Sequence, residues 1–311
     1  MRILVIKLSA LGDMIQALPA FAAIRAAHRQ DHITLLTTPS FAELATASPY
    51  FDTVQTDGRP STLQGWLHLV RGMRRAAYHR VYDLQTNDRT NLYFQALRPR
   101  PPIWSGAALG CALPHARAKR MAMHTLDRQA EQLRAAGIEA DPGALPDVSW
   151  LIARAHSRPQ ETHTRRLALL VPGASPKRPE KRWPAGCYAE LAVQLISQGF
   201  AVAVIGGEAE RDLARVIVAA APAARDLTGQ TDLAALAGLG AQAALAVGND
   251  TGPMHLLAAA GAPCLVLFSG ASDPALCAPR GRVTVLQSCH LTELSVNPVL
   301  GAALTCARAG P

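Results

Sequence analysis

A single carboxylate follows the first apolar run of the chain. Residues 3–6 predict a buried strand, and Asp13 comes shortly after it, where a helix is predicted to begin near Gly12. Ligands of open α/β sheets bind at the carboxyl ends of the strands. A carboxylate there can accept a proton from a substrate hydroxyl, and the adjacent helix N-terminus favours anions. The sequence therefore predicts an active site around Asp13.

A basic loop in the second half of the chain has the residue types of a phosphate site. The loop runs from Val171 to Pro184, between a predicted strand and a predicted helix. Gly173 permits close approach of the backbone, Ser175 offers a hydroxyl, and Lys181 offers a point charge. The structural alternative is an ordinary basic loop that precedes a helix.

A second polar turn follows another predicted strand and reads Asn249-Asp250-Thr251-Gly252-Pro253-Met254-His255. Asp250 can bind the hydroxyls of a sugar, and the amides at the start of the next helix can receive phosphate oxygens. The structural alternatives are that Asp250 or Thr251 is only an N-cap and that His255 is a core histidine.

Short apolar runs alternate with helical periodicity along the chain, which predicts an α/β fold of parallel sheets with helices on both faces. The predicted strands span residues 2–7, 32–37, 52–55, 81–85, 102–105, 167–172, 201–206, 243–247 and 263–268. The predicted helices span residues 12–28, 62–77, 89–97, 124–136, 184–198, 208–220, 232–239 and 252–260. Residues 99–115 otherwise predict a loop, either an acceptor-binding element or an exposed connector, and the tail from Gln287 is weakly patterned.

Length and a polar segment predict two domains. A chain of 311 residues suits about two domains. Residues 155–166 are polar, contain Pro159 and show no apolar period, which is typical of a linker. The predicted domains are 1–158 and 159–311, and the cleft between them is the expected ligand site.

Positive charge is concentrated in the first half of the chain. The net charge is +8, and residues 1–160 contain 19 Lys and Arg against 12 Asp and Glu. This excess indicates an anionic partner, either a phosphorylated acceptor or an acidic membrane surface, while solvated helix faces are the structural alternative. No nucleic-acid motif accompanies the charge, and aromatic residues form only 5% of the chain, so nucleic acid is not an expected partner.

Several other sites and segments are excluded by pattern. The chain lacks a dinucleotide fingerprint after the first strand, a Walker A motif and a G-x-S-x-G elbow, and its ten histidines lack metal-binding spacing, so no metal site is predicted. Six scattered cysteines without a C-x-x-C pair suit a reduced cytoplasmic setting. No apolar stretch reaches about 18 residues, and Lys7 and Asp13 interrupt the apolar start, so neither a membrane span nor a signal peptide is expected.

Three ordered motifs resemble glycosyltransferase family 9, the bacterial ADP-heptose:lipopolysaccharide heptosyltransferases. The motifs are Lys7-Leu-Ser9-Ala-Leu-Gly12-Asp13 followed by Leu18-Pro19-Ala20, then Pro172-Gly173-Ala-Ser175 with Lys181-Arg182-Trp183-Pro184, and Asn249 through Leu256. Asp83-Leu-Gln85 and the segment 124–137 are weaker similarities. Residues 269–274 depart from the family's Gly-Pro-Thr-Asp-Pro and keep only Asp273-Pro274.

The resemblance implies a GT-B architecture, two Rossmann-like domains that face across a cleft, with the acceptor on the N-terminal domain and the donor on the C-terminal one. It implies that Asp13 is the catalytic base and that Lys7, Ser9 and Gly12 shape the pocket around it. The implied donor-binding residues are Ser175, Lys181, Asp250, Thr251, Gly252 and His255.

The resemblance also implies a reaction: inverting transfer of heptose from ADP-heptose to a lipopolysaccharide core hydroxyl, without cofactor or metal. The implied partners are a nucleotide sugar and an anionic glycolipid, with peripheral contact at the cytoplasmic face of the inner membrane. The alternatives are a transferase that uses another nucleotide sugar or acceptor, a sugar-nucleotide epimerase, and a non-catalytic nucleotide- or lipid-binding module.

Overall fold

A computed structural model describes residues 1–115, 120–156 and 166–308 of the chain. The fold divides into two compact units, Met1–Pro146 and Asp147–Pro311. Each unit is built around a parallel sheet that has six strands within the described residues. In that same part of the chain, no helix is both long and apolar enough to cross a membrane.

The first sheet has the strand order β3-β2-β1-β4-β5-β6. Its strands are β1 (Arg2–Ile6), β2 (His32–Leu36), β3 (Thr53–Gln55), β4 (Arg80–Asp83), β5 (Ile103–Gly106) and β6 (Leu113–Pro114). β1 pairs with β2 from Arg2 opposite His32 and with β4 up to Ile6 opposite Asp83. The order therefore reverses between β1 and β4, which is where open α/β sheets bind ligands.

Helices cover both faces of this sheet. They are α1 (Leu11–Ile15), α2 (Leu18–Ala27), α3 (Ala42–Ala47), α4 (Leu63–Ala76), α5 (Asp88–Ala96) and α6 (Thr125–Ala135). Alternate residues of a strand point to opposite faces. On one face, Leu4 and Ile6 of β1 share a buried cluster with Met73 of α4 and Phe94 of α5. α2 and α6 pack against each other.

The second sheet repeats this arrangement with the order β12-β11-β10-β7-β8-β9. Its strands are β7 (Arg166–Val171), β8 (Phe200–Val204), β9 (Arg225–Asp226), β10 (Leu245–Asn249), β11 (Cys264–Phe268) and β12 (Val283–Gln287). The order reverses between β7 and β10, whose pairing runs from Leu245 opposite Ala168 to Gly248 opposite Val171. The loops after β7 and β10 therefore meet at one edge.

The helices of the second unit cover its sheet, and one face has a large buried cluster. They are α7 (Ser149–His156), α8 (Ala185–Ser197), α9 (Arg211–Ala220), α10 (Leu233–Gln242), α11 (Gly252–Ala259), α12 (Pro274–Cys277) and α13 (Val296–Arg308). Val299 and Ala303 of α13 join Leu191 and Leu195 of α8 in the buried cluster. Each of these aliphatic side chains contributes about 1–3 kcal/mol of burial free energy.

Most predicted elements are present, shifted by up to three residues at their ends, but three differ. The helix predicted over 12–28 is two helices, and Pro19 is the second residue of α2, where its missing N–H is tolerated. The loop predicted over 99–115 contains the short strand β6 in addition to β5. The weakly patterned tail contains α13, which packs on α8.

The boundary between the units also differs from the predicted one. α7 packs on α10, so residues from Asp147 onward belong to the second unit rather than the first. Residues 157–165 of the predicted linker lie outside the described residues, as do the basic residues 117 and 119.

Candidate active site

The first predicted site lies where the strand order of the first sheet reverses. Asp13 is the third residue of α1 and is half-buried. Its Oδ2 accepts the backbone N–H of Ala10 at 3.0 Å, and the peptide between Ser9 and Ala10 is cis. The carboxylate is therefore held at a helix N-terminus while part of it stays accessible to solvent.

Two buried ionisable groups lie near Asp13. Lys7 is 3% exposed, and its Nζ donates a hydrogen bond to the carbonyl of Leu84 at 3.4 Å. Burial lowers the pKa of Lys7, and the charges of Asp13 and Asp83 oppose part of that shift. Burial likewise raises the pKa of Asp83 from 3.8 to about 6. The electrostatics of this edge are thus those of a poorly hydrated site.

Gln85 connects the loop after β4 to the loop that carries Asp13. Its Oε1 accepts the backbone N–H of Leu8 at 2.8 Å. The turn is itself held by Asp83, whose Oδ1 accepts the N–H groups of Gln85 at 3.1 Å and Thr86 at 2.9 Å. Gln85 was not among the predicted site residues, although the similarity of Asp83-Leu-Gln85 to the family was a signal that could have found it.

Arginines surround the same edge. The Arg59 guanidinium donates to the hydroxyl of Ser9, so Arg59 contacts the loop that leads to Asp13. Burial lowers the pKa of Arg128, and the charge of Asp13 opposes that shift, so the two groups interact. Gly12 is buried within α1. Arg59 and Arg128 were not predicted, because isolated arginines carry no spacing signal.

A cavity of about 330 Å³ lies beside the turn between β4 and α5. Its lining includes Asn87, Asn91, Arg120 and Arg128. Arg120 donates to the hydroxyl of Thr86 and, at 3.5 Å, to its carbonyl. The lining also includes the carboxylate of Asp88, so the cavity, with two guanidinium groups, one carboxylate and neutral amides, is suited to a polyhydroxylated ligand or to an anion bound by the arginines.

In the second unit, Asn249 joins the loops after β7 and β10. It is the last residue of β10 and is fully buried. Its Nδ2 donates to the carbonyl of Pro172 at 2.8 Å, and its Oδ1 accepts from the N–H of Trp183 at 3.0 Å and the hydroxyl of Tyr188 at 3.1 Å. Asn249 is the first residue of the third motif but was not predicted as a site residue.

Lys181 and Asp250 form an ion pair at this edge. The Lys181 Nζ lies 2.5 Å from the Asp250 Oδ2, and the two side chains are 17% and 8% exposed. The resemblance assigns them to different parts of the donor, whereas the structure brings them into direct contact. Neither charge is left unpaired in a poorly hydrated environment.

The segment 269–274 takes part in the same site despite its departure from the family pattern. The Ser272 hydroxyl donates to the Asp250 Oδ2 at 2.7 Å. Arg178 of the basic loop donates to the carbonyl of Ala271 at 3.1 Å. Ser272 was not predicted, because the segment lacks the family's Gly-Pro and a single serine in a loop has no recognisable pattern.

The remaining predicted donor residues lie on the same two loops. Ser175 is exposed on the basic loop. Thr251 occupies the N-cap position of α11 without a side-chain capping bond, and Gly252 is the first residue of the helix. His255 is 7% exposed in the first turn of α11. The start of this eight-residue helix is the positive end of its dipole; Pro253 has no N–H and the Met254 N–H donates to the Thr251 carbonyl at 3.1 Å, so Gly252 supplies the first N–H of the helix.

Gly173 is required by a close approach between loops. A Cβ atom at this position would lie 2.7 Å from the Cγ of Glu210. The Glu210 carboxylate is fixed because its Oε2 accepts the N–H of Gly207 at 2.9 Å. The glycine of the Pro-Gly-Ala-Ser motif therefore leaves room for a carboxylate beside the basic loop.

Across the described ranges, no group of three or more His, Cys, Asp or Glu side chains is placed to hold a metal ion. The groups that could balance phosphate charge in the second unit are Lys181 and the N-terminal amides of α11. The groups that could accept a proton or bind an anion in the first unit are Asp13 and the neighbouring arginines.

Comparison with known proteins identifies a family. The sequence model of glycosyltransferase family 9 (heptosyltransferase) matches residues 66–295. Lipopolysaccharide heptosyltransferase 2 of Salmonella typhimurium is 38% identical over 115 residues, which are 35% of this chain and 32% of that protein. The chain thus matches about a third of the length of this curated relative.

Two solved structures share the fold over nearly the whole chain. The glycosyl transferase family 9 structure from Veillonella parvula has a TM-score of 0.82 at 23% identity and covers 99% of this chain and 97% of its own. E. coli ADP-heptose lps heptosyltransferase II has a TM-score of 0.79 at 23% identity, with 99% and 98% covered. The predicted GT-B fold class is confirmed, and the chain belongs to glycosyltransferase family 9.

Proposed function

We propose that the protein is an inverting glycosyltransferase that moves a heptose from ADP-heptose to a hydroxyl of a lipopolysaccharide core acceptor. The observation that carries this proposal is the position of the motifs. Asp13 lies at the reversal point of the first sheet, and Lys181 and Asp250 lie at that of the second. The relatives described above, a lipopolysaccharide heptosyltransferase and an ADP-heptose lps heptosyltransferase, support the donor and acceptor classes.

In the proposed reaction, Asp13 is the general base. The acceptor oxygen attacks the anomeric carbon, its proton passes to the Asp13 carboxylate, and the bond between that carbon and the ADP oxygen breaks. A single displacement inverts the anomeric centre and needs no covalent intermediate. The N–H of Ala10 holds Oδ2, which orients the carboxylate towards the edge of the sheet. Lys7, Ser9 and Gly12 complete the pocket around it.

Lys181 and the amides near Thr251 and Gly252 would stabilise the negative charge that develops on the departing diphosphate. Preorganised donors of this kind make a large contribution to catalysis, because they need no rearrangement as charge develops. Ser175 and His255 are assigned to donor contacts on the same loops. The ammonium group takes the part that a divalent cation has in other transferases, so we propose that neither metal nor cofactor is needed.

Arg120 and Arg128 suit an acceptor that carries phosphate or carboxylate groups. Both line the cavity beside the turn that holds Gln85. Such an acceptor is an anionic glycolipid, and we place the reaction at the cytoplasmic face of the inner membrane. Nucleic acid is not a proposed partner.

The test is transfer from ADP-heptose to a heptose-deficient lipopolysaccharide core, with and without EDTA, using Asp13→Asn and Glu43→Gln. We expect turnover with an inverted anomer, no effect of EDTA, and a loss of at least about 100-fold in kcat for Asp13→Asn. Glu43 is an exposed carboxylate of α3, and its variant should retain full activity. Near-normal turnover in Asp13→Asn would refute the assignment of the base.

The same assay separates the alternatives. Turnover with UDP- or GDP-sugars in place of ADP-heptose would keep the transferase and change its donor. Release of an epimer without acceptor would indicate an epimerase. Binding of ADP without any turnover would indicate a non-catalytic module.

A further inference from the structure

One segment of the first unit carries a positive charge larger than the net charge of the whole protein. Between Asp57 and Asp127 the sequence has eleven Lys and Arg residues and two acidic residues, Asp83 and Asp88. That difference of nine exceeds the net charge of +8 of the whole chain. Asp83 is fully buried, so Asp88 is the acidic side chain of this segment that is exposed.

The two long helices of this segment, α4 and α5, lie side by side on one face of the first sheet. Their inner residues, including Met73 and Phe94, belong to one buried cluster. Near the start of α5, Arg89 donates to the carbonyl of Pro60 just ahead of α4 at 3.4 Å. Near the end of α4, Arg74 donates to the carbonyl of Ala96 at 2.5 Å. The outer sides of both helices therefore form one continuous surface.

We call this the α4–α5 surface, and it combines exposed arginines with exposed leucines. The loop between β5 and β6 belongs to it, because Gln95 of α5 donates to the carbonyl of Leu109 at 3.1 Å. The exposed arginines are Arg71, Arg74, Arg75, Arg89, Arg98 and Arg100. The exposed leucines are Leu63 at 74%, Leu67 at 36%, Leu92 at 60% and Leu109 at 87%.

We infer that the α4–α5 surface binds the surface of an anionic lipid bilayer. Arginines beside a negatively charged leaflet are attracted to its headgroups, and the attraction is lost within a Debye length. Leucines at 60–87% exposure face water unfavourably, and insertion at the headgroup boundary would bury them. A nucleic acid fits this surface less well, because the aromatic residues of α4 and α5 are buried or half-buried and offer no stacking platform.

The surface adjoins the candidate acceptor site. α4 and α5 begin at the carboxyl edge of the sheet, where Arg59 bonds Ser9 and where the cavity with Arg120 lies. Most of the arginines lie towards the opposite ends of these helices, with Arg74 and Arg75 in the last turn of α4, so the contact would hold the first unit as a whole at the membrane surface, where a lipid-anchored acceptor is concentrated. The inference rests on the membrane location given in the proposed function and adds the surface that makes the contact, and it can be tested without a sugar donor.

The test is flotation of the full chain with vesicles of phosphatidylglycerol and phosphatidylethanolamine, compared with vesicles of phosphatidylcholine. The charge variant is Arg71→Gln with Arg75→Gln. Its matched control is Arg29→Gln with Arg134→Gln, which removes the same charge from exposed residues of the same unit outside the surface. Each pair includes one arginine from the last turn of a helix. The apolar variant is Leu92→Ser, and its control is Leu145→Ser, a residue 56% exposed elsewhere in this unit.

We expect binding to the anionic vesicles, a loss of at least about tenfold in the Arg71/Arg75 variant, and a smaller loss in Leu92→Ser. Both control variants should bind like the unaltered chain, and sugar transfer to a soluble acceptor should be unchanged in all four. The inference is wrong if the unaltered chain does not float, or if the Arg29/Arg134 control loses as much binding as its partner. It is also wrong if binding to RNA is stronger and unaffected by Leu92→Ser. Failure of sugar transfer alone would refute the proposed reaction and leave the membrane result standing.

Discussion

Replacing Asp83 by asparagine should make the first unit less sensitive to rising pH. Asp83 is fully buried at the end of β4, and burial raises its pKa from 3.8 to about 6. A group with a raised pKa in the folded state contributes stability that is fully present below pH 3.8 and is lost as pH rises through about 6. Ionised Asp83 therefore destabilises the folded unit at neutral pH, and asparagine cannot ionise.

The size of the effect follows from the shift. A difference of about two pKa units at 1.36 kcal/mol per unit gives about 3 kcal/mol in total. About 1.4 kcal/mol of this is lost between pH 5 and pH 7.5, and the rest is lost below pH 5, because the carboxyl group of the unfolded chain is already mostly ionised there. Between these two pH values, the free energy of unfolding of Asp83→Asn should rise relative to the unaltered protein by that amount. Any constant cost of the new amide cancels in this comparison.

The assay must report on the first unit alone. Cys111 is the only cysteine in residues 1–146, and it is 7% exposed. Its labelling in increasing urea by an aromatic disulfide that reacts at acidic pH, read by peptide mass spectrometry, gives the free energy of unfolding of that unit. Asp88→Asn, at an exposed carboxylate five residues later, is the control. Its free energy of unfolding should not rise in this way relative to that of the unaltered protein.

One result would refute the reasoning. If the difference between Asp83→Asn and the unaltered protein is the same at pH 5 and pH 7.5, Asp83 is ionised in the folded protein at both. The positive charge of buried Lys7 would then outweigh the burial of the carboxylate.

Three further predictions concern the loops that hold the two sites. Gln85→Ala removes the acceptor of the Leu8 N–H and should lower kcat about tenfold, with the affinity for ADP unchanged in a calorimetric titration. Gln85→Glu keeps an acceptor and should retain more activity. A loss of ADP affinity in Gln85→Ala would contradict this prediction. Lys181→Met should weaken ADP binding, measured by calorimetry, at least about tenfold. Ser272→Ala leaves the ion pair intact and should weaken ADP binding much less. Equal effects of the two variants would contradict the assignment of Lys181 to the phosphates. Asn249→Leu leaves the Pro172 carbonyl and the Trp183 N–H without their partner and should lower the free energy of unfolding of the second unit by about 3 kcal/mol or more. Labelling of the buried Cys264 in increasing urea measures this change. A decrease below about 1 kcal/mol would show that water or a shifted backbone satisfies these groups.

Much of the fold could be predicted because its strands are buried on both faces. The runs at 3–6 and 167–171 are continuously apolar, as central strands of parallel sheets are, and the polar turns after them mark the carboxyl edge. Edge elements were harder to predict. β9 has two residues, and β12 has no fully buried residue, so neither has a periodic signal.

The site was predicted unevenly for a related reason. Asp13, Lys181 and Asp250 belong to contiguous motifs, and local sequence is enough to recognise them. Arg59, Arg128 and Ser272 act through contacts with residues that are distant in the chain, such as Ser9 and Asp250. Such contacts depend on tertiary packing, and a single sequence contains no local pattern for them.

The ion pair between Lys181 and Asp250 in the second unit fits its proposed role in donor binding. Asp250 is neutralised by Lys181 and bonded by Ser272, so its charge is paired before any ligand arrives. A diphosphate that binds Lys181 must compete with Asp250 for the ammonium group, and Asp250 must then find a new donor. A hydroxyl of the transferred sugar supplies such a hydrogen-bond donor, whereas the diphosphate group does not. The ion pair should therefore favour a ligand that carries both groups, and ADP-heptose should bind more tightly than ADP by a margin that Asp250→Asn reduces.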